Sequence, residues 1–373
     1  MEIRKIESKK DLKKFINFPH QLYKNDENYV PALNLVTKST LSKKNPFLKH
    51  SEIALFLAIK DGNTVGRIAA IYNKTHLDVY NDNTGFFGFF DSIDDISVTK
   101  KLFETCEQWL ADKGIKRIIG STNLTTNDSS GFLVEGFHLP PMVLMPYNKA
   151  YYNHLCTESG YTKSIDLFSY DIDTNFSLSK FNNINSRALE VMKSKQITIR
   201  NMSKKTFQKD SEKLRFVYNK SNENNWGFMP LNEEEFSGMA NDLKMATPLD
   251  LTFLVEKDDE IIGFLIAVPN LNQVLKFIKN GKLLPFGIFK FLLKKHTINS
   301  ARIMIMGILD EYKGLGIDLV LYQHLKEAFK KHKIFRAEAC YVLENNQRMN
   351  SILNKFSEGI IKKYRIYEKG IWT

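Results

Sequence analysis

The chain has 373 residues, 43% of them hydrophobic and 25% charged, which reads as a globular rather than a disordered protein, and it is too long for one ordinary core. Its formal charge of +11 favours an anionic partner, such as a phosphate-bearing cofactor or a membrane surface. No apolar run reaches about 18 residues, so no spanning helix is expected, and no zinc-finger, helix-turn-helix or RNP-type signature accompanies the charge, so nucleic acid is not an expected partner.

The opening stretch "MEIRKIESKKDLKKF" is charged throughout and lacks the apolar core of a signal peptide. Cys106, Cys156 and Cys340 are scattered, with no CxxC pair and no His cluster. Neither a disulfide framework nor a metal site is expected, and the chain reads as cytoplasmic.

In chain order, "ALFLAIKDGNTVGRIAAIYN" (54–73) predicts a strand, a polar turn and a second strand. "GFFGFFD" predicts a third strand ending at Asp91, followed by an amphipathic helix carrying Leu102, Cys106 and Leu110. A strand around Ile115 and Arg117 comes next, then a long loop over 121–150, and "GYTKSIDLFSYDI" closes the first half. The stretch 175–197 is polar and weakly patterned, as a boundary would be.

The second half repeats this plan. "LTFLVEKDDEIIGFLIAVPN" (251–270) is the same hairpin, with Ile262-Gly263 standing where Val65-Gly66 stands. "ARIMIMGILD" ends at Asp310, a helix carries Leu321, Leu325 and Phe329, a strand holds Ile334 and Arg336, and "GIIKKYRIYEKGI" closes. The expected fold is α/β with an α+β mixed sheet in two tandem copies, 1–178 and 197–373. The spacing of matched positions widens between the third and fourth strands of the second copy, locating a helical insertion over 271–297.

Between the fourth strand and the helix of the second copy lies "EYKGLGI". A strand, a short glycine loop and a helix place free N–H groups and the positive end of a helix dipole at one point, which suits an anion. A tight turn explains the glycines equally well. The matching positions of the first copy are Asp94, Asp95, Ile96, Ser97, Val98 and Thr99, which hold two acids and no glycine.

The order of hairpin, strand, "EYKGLGI", helix, strand, "ENNQRMNSILNKF" and last strand resembles the GNAT acyltransferase superfamily, whose pyrophosphate loop reads Gln/Arg-x-x-Gly-x-Gly/Ala. Over nearly the whole length, "NPFLKHSEIALFLA", "TNDSSGFLVEGFHLPPMVLMPYN", "NNWGFMPL" and "YRIYEKGI" resemble bacterial tandem-GNAT proteins labelled only as acetyltransferases. The resemblance implies transfer of an acyl group from acetyl-CoA or a longer acyl-CoA to an amine, without a metal. It places the cofactor on Lys313, Gly314, Leu315, Gly316, Ile317 and Asp318, with Ile308 and Leu309 beside the pantetheine arm and Asn346 at the next helix. Lys313 replaces the usual Arg or Gln, and Asp318 replaces Gly or Ala. A carboxylate facing pyrophosphate would repel it by roughly 1–4 kcal/mol, so Asp318 is expected to turn away and brace the loop.

The resemblance also implies a general acid seven residues after Asn346, where Leu353 stands. Tyr341 is the substitute candidate, against a core role. Glu338, an acid in an apolar strand, is the candidate general base, against a salt bridge with Arg336 or Arg302. Asn127 and Asp128 in the long loop, with Trp226 in "NNWGFMPL", are the acceptor-site candidates, against packing roles.

The 271–297 insertion has six lysines and no acid among many Leu and Phe, consistent with a basic amphipathic helix pair broken at "GKLLPFG". It could lie on the inner membrane surface or close over an acyl chain, or pack with its lysines solvated. The acceptor is expected to be a small-molecule or lipid amine. A non-catalytic CoA- or lipid-binding module, and a long-chain N-acyltransferase acting on a lipid amine, are the alternatives.

Overall fold

The computed structural model describes residues 1–175 and 182–371. Its first half runs β1 (Glu2–Lys5), α1 (Lys9–Leu22), α2 (Asn34–Thr40), β2 (Glu52–Lys60), β3 (Asn63–Tyr72), α3 (Lys74–Tyr80), β4 (Thr84–Ser92) and α4 (Ile96–Ala111). It continues through β5 (Arg117–Gly120), β6 (Phe132–Glu135), α5 (Tyr151–Glu158) and β7 (Thr162–Asp173). The second half holds α6 (Asn182–Ser194), β8 (Thr198–Asn201), α7 (Phe207–Asn222), α8 (Glu233–Ala246), β9 (Thr252–Lys257) and β10 (Glu260–Pro269). It ends with α9 (Asn272–Leu275), α10 (Gly287–Lys294), β11 (Ser300–Ile308), α11 (Ile317–Lys331), β12 (Arg336–Leu343), α12 (Gln347–Phe356) and β13 (Ile360–Gly370).

The chain divides into two compact units. One holds residues 1–167, Asn272–Thr297 and the chain from Lys362 onward, and the other holds Phe168–Leu271 and Ile298–Ile361. The units therefore do not follow the two halves of the repeat: the insertion and most of β13 belong with the first. Local hydrophobic spacing marks the repeat, but which surface an insertion packs on is a long-range matter.

In the first unit the strands run in the order β1-β2-β3-β4-β5-β13-β7, with β6 also on β13. The helix expected from Leu102, Cys106 and Leu110 is α4, and all three side chains are fully buried. Each buried leucine contributes about 1.5–3 kcal/mol of transfer free energy. The 121–150 loop was expected to lack regular structure. It instead contains β6, whose Leu133 pairs with Tyr364 and Phe132 with Arg365, and the Asn148 carboxamide accepts the Leu133 N–H at 2.6 Å.

In the second unit the order is β7-β12-β11-β10-β9-β8. Leu321, Leu325 and Phe329 of α11 are fully buried, so the 3.6-residue spacing identified both crossover helices. The weakly patterned stretch before 197 is largely α6, anchored by buried Ala188 and Met192; its portion 176–181 lies outside the described residues. Two apolar anchors were too few to stand out in a polar run.

The insertion holds two short helices, separated within "GKLLPFG". It comprises the four-residue α9, a single turn at Lys279–Gly281, the eight-residue α10 and a closing turn at Lys295–Thr297. Asn280 (φ 56°) sits in the turn between the two helices, and Pro285 precedes the second.

Candidate functional site

The second unit's site begins where β11 ends. A turn over Asp310–Tyr312 leads to Gly314 (φ 82°) and Gly316 (φ 79°), two left-handed positions that L side chains disfavour. Gly316 is the N-cap of the 15-residue α11 and supplies no side-chain cap. The N–H groups of Gly314, Leu315, Gly316, Ile317 and Asp318 find no hydrogen-bond acceptor among the described residues. Five donors thus converge at the positive end of a helix dipole. The Lys313 ammonium is exposed and pairs with Asp310 at 2.5 Å.

A cavity of about 430 Å³ opens on this loop. Its far walls are α6, through Ile184, Arg187, Ala188 and Val191, and α12, through Arg348, Ile352 and Lys355. A Cβ on Gly316 would stand 2.7 Å from the Ala188 Cβ, so α6 rests directly on the glycine. A Cβ on Gly314 would meet nothing within 4 Å, so that side of the loop is open.

Asp318 braces the loop, yet it does so at the cavity wall rather than away from it. One carboxylate oxygen accepts the Leu319 N–H at 3.1 Å, and the other lies 3.6 Å from the Arg348 guanidinium. The pairing turns the substitution that most opposed an anion site into a tether for a cation. Arg187, Arg348 and Lys355 leave the cavity lining net positive despite Asp318. Sequence reading did not single out these three. For two of them the signal was present: Arg348 and Lys355, with Ile352 between them, fall on one face of a helix.

The strand geometry beside the loop is equally specific. β11 and β12 are parallel partners only from Ser300–Arg336 to Ile303–Ala339, although β11 runs on to Ile308 and β12 to Leu343. The strands therefore part beyond Ala339, and Met304, Ile305 and Met306 of β11, all half-buried, have no β12 partner. Of the residues expected beside it, Ile308 and Leu309 are buried, and the Leu309 N–H is committed to the Ile262 carbonyl at 3.0 Å.

Glu338 sits one residue before the strands part. It is 8% exposed, faces Arg302 across the β11–β12 pair, and accepts the Ser169 hydroxyl at 2.7 Å. Arg336, its expected alternative partner, instead forks onto Asp171. Tyr341 lies in the diverging part of β12, half-buried, with the Arg302 guanidinium 5.4 Å from its ring centre. Arg302 also donates to the Cys340 carbonyl at 3.0 Å, so one guanidinium organises this end of the gap.

Asn346 is the N-cap of α12, its side chain accepting the Met349 N–H at 3.1 Å. Leu353 is buried within α12. Trp226 is half-buried in the turn after α7. Asn127 and Asp128 belong to the first unit, not to the unit that holds the glycine loop. There the Asp128 carboxylate accepts the Thr125 N–H and hydroxyl at 3.1 and 2.8 Å, and the Asn127 N–H donates to that hydroxyl at 3.2 Å.

The first copy shows what a closed version looks like. α4 is capped by Asp95, whose carboxylate accepts the Ser97 N–H at 2.9 Å, so an anion of the chain itself fills the helix terminus. Beyond the last β4–β5 pair, Phe87–Gly120, the Thr122 N–H donates to the Phe87 carbonyl at 2.8 Å and the Asn123 side chain accepts the Phe89 N–H at 2.8 Å. The gap that stays open in the second unit is stitched shut here.

No family model matches the chain. It is 36% identical to Protein YghO of Escherichia coli (strain K12) over 378 aligned positions, which covers 99% of this chain and 95% of that protein. It is 32% identical to the bacterial ceramide synthase of Caulobacter vibrioides (strain NA1000 / CB15N), covering 98% of this chain and 96% of that one. Among solved structures, a tandem GNAT protein from the clavulanic acid biosynthesis pathway superposes with a TM-score of 0.56 at 8% identity, covering 100% of this chain and 99% of that one.

Proposed function

The chain belongs to one family with YghO and the bacterial ceramide synthase and has the tandem GNAT fold, and we propose that it is an acyl-CoA-dependent N-acyltransferase. The observation that carries this reading is the row of unpartnered amides from Gly314 to Asp318, set against a cavity lined by Arg187, Arg348 and Lys355. Amides at a helix N-terminus suit a diphosphate, and guanidinium forks suit its further charges. These residues fit coenzyme A.

Acyl-CoA, when bound, supplies an acyl group already activated as a thioester. The loop amides and Arg348 would hold its phosphates, while Asp318 fixes Arg348 in place. Along the parted strands, the unpaired β12-facing edge of Met304–Gly307 would align the arm. Glu338 would take a proton from the attacking amine at its carboxylate, with the Ser169 hydroxyl fixing its orientation. Tyr341 would return a proton at its phenol oxygen, a role Leu353 cannot perform.

The finer reading is a lipid amine acceptor and a long acyl chain. It rests on the relation to a protein named for ceramide synthesis and on the apolar Met304, Ile305 and Met306 that follow the last paired residue of β11. Isothermal titration with acetyl-CoA and palmitoyl-CoA, followed by thiol release across a panel of small and lipid amines, tests both levels. Binding with turnover on a long-chain amine supports the finer reading. Turnover on small amines alone retires it but keeps the acyltransferase. Binding without any transfer would favour a sensor, and no binding removes the site.

A further inference from the structure

Within the first unit, five large apolar side chains crowd into ten residues with their surfaces in water: Leu284, Phe286, Phe289, Leu292 and Leu293 are 63%, 75%, 61%, 50% and 72% exposed. Phe286, Phe289 and Leu293 stand at i, i+3 and i+7, so α10 and the residue before it present one apolar stripe outward. Such clustering on a folded surface marks a contact site, whereas single exposed leucines do not.

The base beneath this stripe is fixed. Val274 and Ile278 are buried, and Gly287 lets α10 approach so closely that a Cβ there would come within 2.5 Å of the Lys282 carbonyl oxygen. The Asn272 carboxamide donates to the carbonyls of Pro141 and Met142 at 2.9 and 3.0 Å, and the Asn34 carboxamide donates to the Asn280 carbonyl at 3.0 Å. The segment is held at its root and uncovered at its face.

Charge identifies the occupant. Residues 271–297 carry Lys276, Lys279, Lys282, Lys290, Lys294 and Lys295, all exposed, and no aspartate or glutamate. We propose that this segment docks the protein on an anionic lipid bilayer, with Phe286, Phe289 and Leu293 entering the acyl boundary and the lysines resting on lipid phosphates. A second copy of the chain fits worse: a two-fold interface through this face would set its lysines against their own images. The proposal does not depend on the acyltransferase reading, and its test involves no CoA ligand.

Co-sedimentation of the full chain with vesicles of phosphatidylcholine, with and without phosphatidylglycerol, is the direct test. Binding is expected only to the anionic vesicles. Lys290→Glu/Lys294→Glu/Lys295→Glu and Phe286→Ser/Leu293→Ser should each weaken it about tenfold or more, with unchanged thermal unfolding because all five positions are exposed. Phe286→Trp gives an independent reading, since its fluorescence should shift to the blue on anionic vesicles alone. No binding to anionic vesicles, retained binding in both multiple variants, or an unshifted Phe286→Trp spectrum would each overturn the proposal. So would a dimer, in the absence of vesicle binding, that Phe286→Ser/Leu293→Ser dissolves.

Discussion

At the scale of single residues, the two loop glycines serve different purposes. Gly316 is pressed on by Ala188 and held at positive φ, so any side chain there disturbs α6 as well as a ligand. Gly314 faces open space, which makes it the cleaner probe. Gly314→Glu should cost about 1 kcal/mol of stability, from the left-handed backbone alone, yet weaken acyl-CoA binding at least about tenfold by placing a carboxylate before the amides. Calorimetry beside thermal unfolding checks it, and unchanged affinity would take the loop out of the site. Glu338→Gln keeps an oxygen for the Ser169 hydroxyl while losing the base. It should lower kcat about a hundredfold with KM nearly unchanged; a collapse in melting temperature with normal kcat would assign Glu338 to packing instead.

At the scale of elements, the two crossover helices end the same architecture in opposite electrostatic states. α4 is closed by Asp95, whose hydrogen bonds from Ser97, chiefly from its hydroxyl, hold the carboxyl below its usual range, whereas α11 is left uncapped. A second electrostatic feature fixes β8 to α7 and β9: Arg200 forks onto Asp210 at 2.8 and 2.9 Å and onto Glu256 at 2.5 and 2.9 Å. Burial works to raise the Asp210 carboxyl, but the Arg200 guanidinium outweighs it and leaves the carboxyl below its ordinary value. A depressed folded value means that the unfolded chain binds the proton more readily. The stabilisation is therefore present above the usual carboxylate range and is lost as pH falls through the depressed one. Arg200→Ala should cost about 2 kcal/mol near neutrality, discounted because Arg200 keeps about a third of its surface in water. In urea unfolding at descending pH the gap between variant and wild type should narrow, and a pH-independent gap would contradict the pairing.

At the scale of the whole molecule, duplication followed by divergence predicts one ligand per chain. The first copy has its helix terminus filled by Asp95 and its strand gap stitched by Thr122 and Asn123, while the second copy has both open. Titration of acyl-CoA should saturate at one equivalent per chain; two equivalents would mean that the first copy also binds. The duplication was readable because each copy repeats its own local spacing: Leu102, Cys106 and Leu110 against Leu321, Leu325 and Phe329, with both triplets fully buried. β6 was hidden because Phe132–Glu135 is too short for alternation to show, and α6 because Ala188 and Met192 are its only fully buried anchors among the described side chains.

The amino-acid order by itself determined the paired hairpins, the two crossover helices, the glycine loop and the lysine-rich insertion, since each is written in neighbours a few positions apart. Tertiary structure alone decided that α6 lies on Gly316, that Arg348 holds Asp318 at the cavity wall, that β11 and β12 part after Ala339, and that the insertion packs with the first unit. The reason is physical: periodicity records which face of an element is buried, but not which distant element buries it, and the charge of a site depends on the sum of groups that meet there.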